Sequence, residues 1–249
     1  MIFLIAQIGG YVPPEAEGVE VKDRAGEKVA DVTLTDQYGR KLKTSSLFDG
    51  KRPVIVVPMY YTCPVVCTTT LTLLIEAARR LQDLKPGKDY RVFAYSFNHS
   101  EKPEDALRKC RTVWEHLGRG AATCAVGDSL SVWKLSESLG FRYRKVKEGL
   151  YSHPVAVIVA TPDGRFSRAI YDMGGFNATD LRLALLEAAD GKIGKSQIVN
   201  SFLLYCYQYD SANRRYNLIV WRVVKLFGIL TLIFVGAVYG YVLFSRRRR

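Results

Sequence analysis

Residues 53–61 read PVIVVPMYY, an unbroken apolar run rich in β-branched and aromatic side chains. A strand with one wet face would alternate, so this run predicts a strand covered on both faces. The period then changes. Leu71, Leu74, Ile75, Ala78 and Leu81 recur at steps of three and four, which predicts a helix following Cys67 and ending before Pro86 and Gly87. Residues 90–97 predict a second buried strand, and Pro103 opens a helix with Ala106, Cys110, Val113, Trp114 and Leu117 on its apolar face. Gly118 stops it. Residues 122–126 suit a short strand, and Asp128 or Ser129 caps a further helix that reaches Leu139 and stops at Gly140. Residues 141–146 and 155–160 predict strands, TPDG at 161–164 a turn, 165–171 the returning strand and 179–189 a last helix. Near the start, residues 32–35 and 41–43 flank a Gly-containing turn and predict a hairpin. Strands alternating with helices, closed by a hairpin and a helix, give an α/β order.

The pattern changes again at the C-terminal end. Residues 226–244 form a 19-residue stretch without a charge, followed by the arginines at 246–249. At ~1.5 Å per residue it reaches about 28 Å, close to the ~30 Å of bilayer hydrocarbon. Tyr216, Trp221, Tyr239 and Tyr241 lie near its ends, as interfacial aromatics do. A buried core helix would show a polar side; this stretch is apolar all round and reads as a single transmembrane helix. The terminal arginines favour a cytoplasmic C-terminus, with the large domain on the periplasmic or other extracytoplasmic side, although Arg214, Arg215, Arg222 and Lys225 reduce the asymmetry. Residues 1–10 are apolar but lack a basic start and are short for a signal core, a composition open to reading as the remnant of a longer leader. The expected organisation is an extended segment or leader remnant over 1–28, an α/β domain over 29–192, a juxtamembrane linker over 193–217 and an anchor with a basic tail over 218–249.

Composition narrows the partners. Of 249 residues, 48% are hydrophobic and 24% charged, which permits an ordinary core. The net charge is +12 and stays strongly positive without the terminal arginines, so anionic lipid or an acidic protein face would be attracted. No basic cluster interleaved with stacking aromatics occurs within the domain, and no helix-turn-helix or zinc-finger spacing, so nucleic acid is not expected as a partner.

Five cysteines are too few for a disulfide scaffold in a chain of this length. Cys63 and Cys67 form one close pair where a buried strand hands over to a helix. Positions i and i+4 share a helix face, and the carboxyl ends of α/β strands are where ligands bind. A helix N-terminus favours thiolate, which both soft-metal binding and disulfide exchange require. Three residues separate the cysteines, against two in thioredoxin-type reductases. A closed zinc site would need four ligands, and no second Cys/His pair is evident. A third soft or borderline donor would suit copper. Of the three histidines, His116 falls near a helix end, where a dipole contact accounts for it. His99 is a loop residue or an accessory ligand. His153 precedes Pro154 and the strand at 155–160; thioredoxin-like domains open the corresponding strand with a proline, often cis, opposite the dithiol. That analogy sets His153 over Cys63 and Cys67, a structural histidine being the alternative. Met59 reads as core more than thioether ligand, Asp163 and Gly164 as turn residues, and Cys206 as juxtamembrane packing. Cys124 reads as a buried small residue; a bridge to Cys110 is open.

The segments YYTCPVVC (60–67), YSHP (151–154) and TPDGRF (161–166) together resemble the Sco/SenC family of copper-binding proteins, over roughly residues 30–192. The C-terminal anchor is similar to a bacterial branch of that family. The resemblance implies a thioredoxin-like fold and no enzymatic turnover. It also implies Cu(I) or Cu(II) held by Cys63, Cys67 and His153, for delivery to the binuclear copper centre of cytochrome c oxidase subunit II. Thr68 stands where many members have a second proline, and residues 96–103 (SFNHSEKP) replace an Asp-rich loop. The competing reading is a thiol–disulfide oxidoreductase that reduces the oxidase's copper-ligand cysteines or those of another exported protein, with Cys63 attacking because a strand-end thiol should be well exposed. A peroxide-reducing enzyme is disfavoured by the lack of an arginine beside Cys63.

Overall fold

The computed structural model describes residues 18–63, 66–147, 149–171 and 176–189, with residues 66–69 described by backbone alone; beyond these it describes the backbone at 207–210 and 215–218, and Gly228, Thr231 and Gly236. The chain divides into two units, Met1–Ile193 and Gly194–Arg249.

In the first unit the expected hairpin forms from β1 (Thr33–Asp36) and β2 (Lys41–Lys43), paired antiparallel. Asp36 closes its turn by accepting the Tyr38 and Arg40 N–H groups, each at 2.9 Å. β3 (Val54–Met59) is buried at every position, as its unbroken apolar run requires. α1 (Val66–Arg79) follows and buries Leu71, Leu74, Ile75 and Ala78. After β4 (Arg91–Ser96) comes α2 (Pro103–Leu117), whose first turn places Asp105 where its carboxylate accepts the Lys102 N–H at 3.0 Å. β5 (Ala122–Val126) leads to α3 (Ser129–Ser138), capped by Asp128 through the Ser131 N–H at 2.9 Å. The first unit closes with β8 (Ala156–Ala160), β9 (Phe166–Tyr171) and α4 (Ala178–Ala188), the cap of α4 being Asn177.

Seven strands make one mixed sheet in the order β2-β1-β5-β4-β3-β8-β9. β3, β4 and β5 run parallel, each pair joined by a crossover helix, as parallel neighbours must be. β8 adds antiparallel to β3, and β9 to β8, so the central sheet with α1, α2 and α4 has a thioredoxin-like arrangement. Cys110 on α2 and Cys124 on β5 are joined by a disulfide across a Cα separation of 5.9 Å, within the usual span, and both are buried. The bridge fastens the second crossover helix to the strand it leads into.

Two features differ from the periodicity reading. The strand expected at 141–146 is shorter and later: β6 (Arg144–Lys147) pairs with β7 (Leu150–Ser152) in a separate two-stranded hairpin. Phe141 instead bridges Val21, because residues 20–29 run along the domain. Lys22 N–H donates to Gly140 C=O (2.8 Å), Arg142 N–H to Glu20 C=O (2.8 Å) and Val29 N–H to Gly164 C=O (2.9 Å). Gly140 has φ +63°, and a Cβ there would collide with the Lys22 carbonyl oxygen, so this contact demands glycine.

In the second unit, β10 (Tyr207–Asp210) and β11 (Arg215–Leu218) form an antiparallel hairpin that runs from the segment read as a linker into the first residue of the segment read as an anchor. The apolar stretch at 226–244 lies outside the described residues except for Gly228, Thr231 and Gly236, which are helical. Among the described residues, no helix is long and apolar enough to cross a membrane.

Candidate metal centre

The sheet decides which ends meet. β3 and β8 pair with Val54 opposite Ala160, Ile55 opposite Val159 and Val56 opposite Ile158. Extending that register past the ladder sets His153 opposite Tyr61, two residues before Cys63. The thiol after β3 and the imidazole before β8 therefore belong to the same sheet end, at the carboxyl ends of the parallel strands. Cys63 sits in a tight turn, its N–H donating to Tyr60 C=O at 3.3 Å. It is only 7% exposed, so the exposure expected of a strand-end thiol is not found; the turn tucks it inward. The backbone places Cys67 in the first turn of α1, where the helix dipole favours negative charge.

His153 is half-buried in an aromatic cluster. Its ring centre lies 5.9 Å from that of Tyr60, edge to face, 5.1 Å from Phe97 and 6.4 Å from Phe141. Tyr151 and Tyr143 complete the cluster, at 5.6 and 4.6 Å from Phe97. Tyr60 is thus a common neighbour: its ring touches the imidazole and its carbonyl receives the Cys63 N–H. Nδ1 of His153 lies 3.1 Å from the Pro154 carbonyl oxygen. A carbonyl only accepts, so that contact calls for a proton on Nδ1. The His153–Pro154 peptide bond is trans, like every described peptide bond, unlike the cis form common at this position in thioredoxins.

Beneath Cys63 lie two groups that the sequence did not single out. Tyr61 is buried, and its hydroxyl lies 3.0 Å from Ala94 O and 2.9 Å from Ala125 O and accepts the Ala125 N–H at 3.1 Å, joining β4 to β5. Burial, reinforced by the charge of Glu101, pushes its phenol well above the ordinary value, so it stays protonated. Glu101 is 8% exposed and accepts the N–H groups of both Tyr61 (2.8 Å) and Thr62 (2.6 Å). Its position at the carboxyl end of β4, beside β3, was the available signal.

The remaining candidates sort as structural. Met59 is buried within β3. His99 is exposed on its loop, and His116 caps its own helix turn, Nδ1 lying 2.8 Å from Thr112 O. Asp163 accepts from Thr161 Oγ1 and pairs with Lys28 and Arg165 in the turn. The Thr161 hydrogen bond, ahead of Lys28 and Arg165, holds its carboxyl down at about 2. Cys206 and the Cys67 side chain lie outside the described residues. Among the described residues, no three His, Cys, Asp or Glu side chains converge as a metal cage. The described donors of the expected set, one thiol and one imidazole, are of the kind that soft or borderline metals take.

Known proteins share this fold. A protein of Aquifex aeolicus VF5 is 25% identical, with a TM-score of 0.59 over 66% of this chain and 94% of its own. Two others share the fold at lower identity. BsSco, a member of the Sco family of cytochrome c oxidase assembly proteins, is 15% identical, with a TM-score of 0.54 over 68% of this chain and 98% of its own. Arabidopsis thaliana ScoI, solved with copper bound, is 12% identical, with a TM-score of 0.52 over 65% of this chain and 97% of its own. No curated protein matches the chain. The family model SCO1/SenC matches residues 21–179, which spans the sheet, the Cys63 turn and the strand that His153 precedes. By that match over more than half its length, the chain belongs to the SCO1/SenC family.

Proposed function

We propose that this protein is a copper metallochaperone that holds one copper ion through Cys63, Cys67 and His153 and delivers it to the binuclear copper centre of cytochrome c oxidase subunit II. Copper is cargo here, bound and passed on without turnover. The observation that carries the reading is the shared neighbour Tyr60, which contacts the His153 ring while accepting the Cys63 N–H. Two soft sulfurs and one imidazole suit copper in either oxidation state. Copper-bound ScoI and the assembly role of BsSco's family support the assignment. Disulfide exchange, which the same thiols would permit, is disfavoured by the burial of Cys63, since attack needs an accessible thiolate.

The proposed setting is a single-pass anchor over residues 226–244, with the domain on the extracytoplasmic side. The Cys110–Cys124 disulfide supports it, because such bridges persist in oxidising compartments. The hairpin leading into His153 exposes all of β6, including Arg144, Lys145 and Lys147, and offers a basic face to an acidic partner surface.

The test is copper stoichiometry. Purified, reduced protein should bind one copper per chain and show an intense thiolate-to-copper charge-transfer band with Cu(II). His153→Ala should fall well below one with both thiols intact. Retention equal to the wild type would remove His153 from the ligand set.

A further inference from the structure

The loop between β4 and α2 grips both halves of the site. Each oxygen of the Glu101 carboxylate accepts two hydrogen bonds. Oε2 takes the Tyr61 N–H (2.8 Å) and the Ser96 hydroxyl (2.6 Å); Oε1 takes the Thr62 N–H and the Thr62 hydroxyl, both at 2.6 Å. The four donors fill a carboxylate's capacity, and two are the backbone amides of the residues just before Cys63. From the same loop a second arm reaches the other ligand. Ser96 Oγ accepts the Asn98 N–H at 3.0 Å, and Asn98 Oδ1 accepts the Tyr151 hydroxyl at 3.1 Å, two residues before His153. The Tyr151 ring meanwhile packs on Tyr60 at 5.4 Å. Glu101, Ser96, Asn98 and Tyr151 thus form a part-buried polar bridge between the thiol-bearing turn and the imidazole-bearing hairpin.

We infer that Glu101 is a positioning residue of the copper site: by fixing the Tyr61 and Thr62 amides it sets where Cys63 stands relative to His153. This rests on the copper reading above. A buried carboxylate is costly unless fully bonded, so the turn is held by an acceptor that cannot rotate into another partner without stranding backbone N–H groups. Such partners, which never touch the metal, orient the groups that do.

Glu101→Gln keeps the shape but turns one oxygen into an amide donor. Whichever way the amide faces, it meets either the Tyr61 or the Thr62 N–H, so one loses its acceptor. In the full-length reduced protein, Cu(I) affinity measured by competition with a chromophoric chelator should fall about 10- to 100-fold. The Cu(II) charge-transfer band should shift. In metal-free protein, amide exchange at Tyr61 and Thr62 should speed up at least about tenfold without matching acceleration in β4, as expected of local opening. If the wild type binds no copper, the copper reading itself fails. If it binds and Glu101→Gln matches it in affinity and band, even with a lowered Tm, Glu101 serves the fold alone and the inference is overturned. Should Glu101→Gln not fold, Tyr151→Phe cuts the other arm at Asn98 and leaves the carboxylate's partners intact. An affinity loss of about tenfold would support the bridge, and an unchanged affinity would overturn it.

Discussion

Two buried tyrosines allow a paired test of how this sheet end is held. Tyr61→Phe removes a hydroxyl that stands 2.9 Å from Ala125 O and receives the Ala125 N–H at 3.1 Å. The substituted ring fits the same space, so the loss is polar. One buried amide is stripped of this acceptor and one carbonyl of its donor. Stranding a buried donor costs about 1–3 kcal/mol and an ordinary net hydrogen bond about 1, so roughly 2–3 kcal/mol should be lost. Tyr90 supplies the control. It is fully buried, and among the described residues its hydroxyl has no hydrogen-bonding partner. Tyr90→Phe removes a desolvated group that makes no bond, so stability should be unchanged or rise by up to about 1 kcal/mol. Burial raises both phenols above their ordinary pKa, with Glu101 adding to Tyr61 and Asp89 to Tyr90, so neither ionises at neutral pH. Urea unfolding followed by far-UV circular dichroism would report both, with equal slopes confirming that only stability changed. A Tyr61→Phe midpoint no lower than that of Tyr90→Phe would refute the claim that the Tyr61 hydroxyl ties β4 to β5.

Two further outcomes are expected. Burial alone would raise Asp49, but the Lys51 and Arg52 amides, the Arg52 side chain and the Arg91 charge overcome it and bring its carboxyl to about 2. Its contribution is therefore complete above the unfolded value near 4 and is lost as pH falls through 2, so the stability gap between wild type and Asp49→Asn should narrow from pH 5 to pH 2. A gap constant over that range, measured by urea midpoints, would contradict the assignment. The Cys110–Cys124 bridge closes a loop with a sequence separation of 14, for which chain entropy gives about 3 kcal/mol; replacing both by Ala should cost at least that. Alkylation without reductant, read by mass spectrometry, should leave both cysteines unmodified. Labelling of either in native oxidised protein would deny the bridge.

The β3 run, the cap at Asp128, the Pro103 start and the turn at Gly164 were legible because each depends on residues within a few positions of one another. The β6–β7 hairpin was not. Its first strand is exposed at every position, so no alternation betrays it. Cys110 and Cys124 each sat on a plausible apolar face, and only the docking of α2 on β5 made them a pair. Glu101 looked like one more charge in a polar loop. That its carboxylate turns inward follows from β4 lying beside β3, a pairing between segments about 35 residues apart. The same holds for the centre itself. The chain named Cys63, Cys67 and His153 by motif and resemblance, but the antiparallel addition of β8 to β3 put the last beside the Tyr60 turn. Periodicity and capping are written into neighbouring residues, so sequence alone determines them. Register between distant strands and the burial of Cys63 arise from packing that no local stretch encodes, and only the tertiary structure decides them.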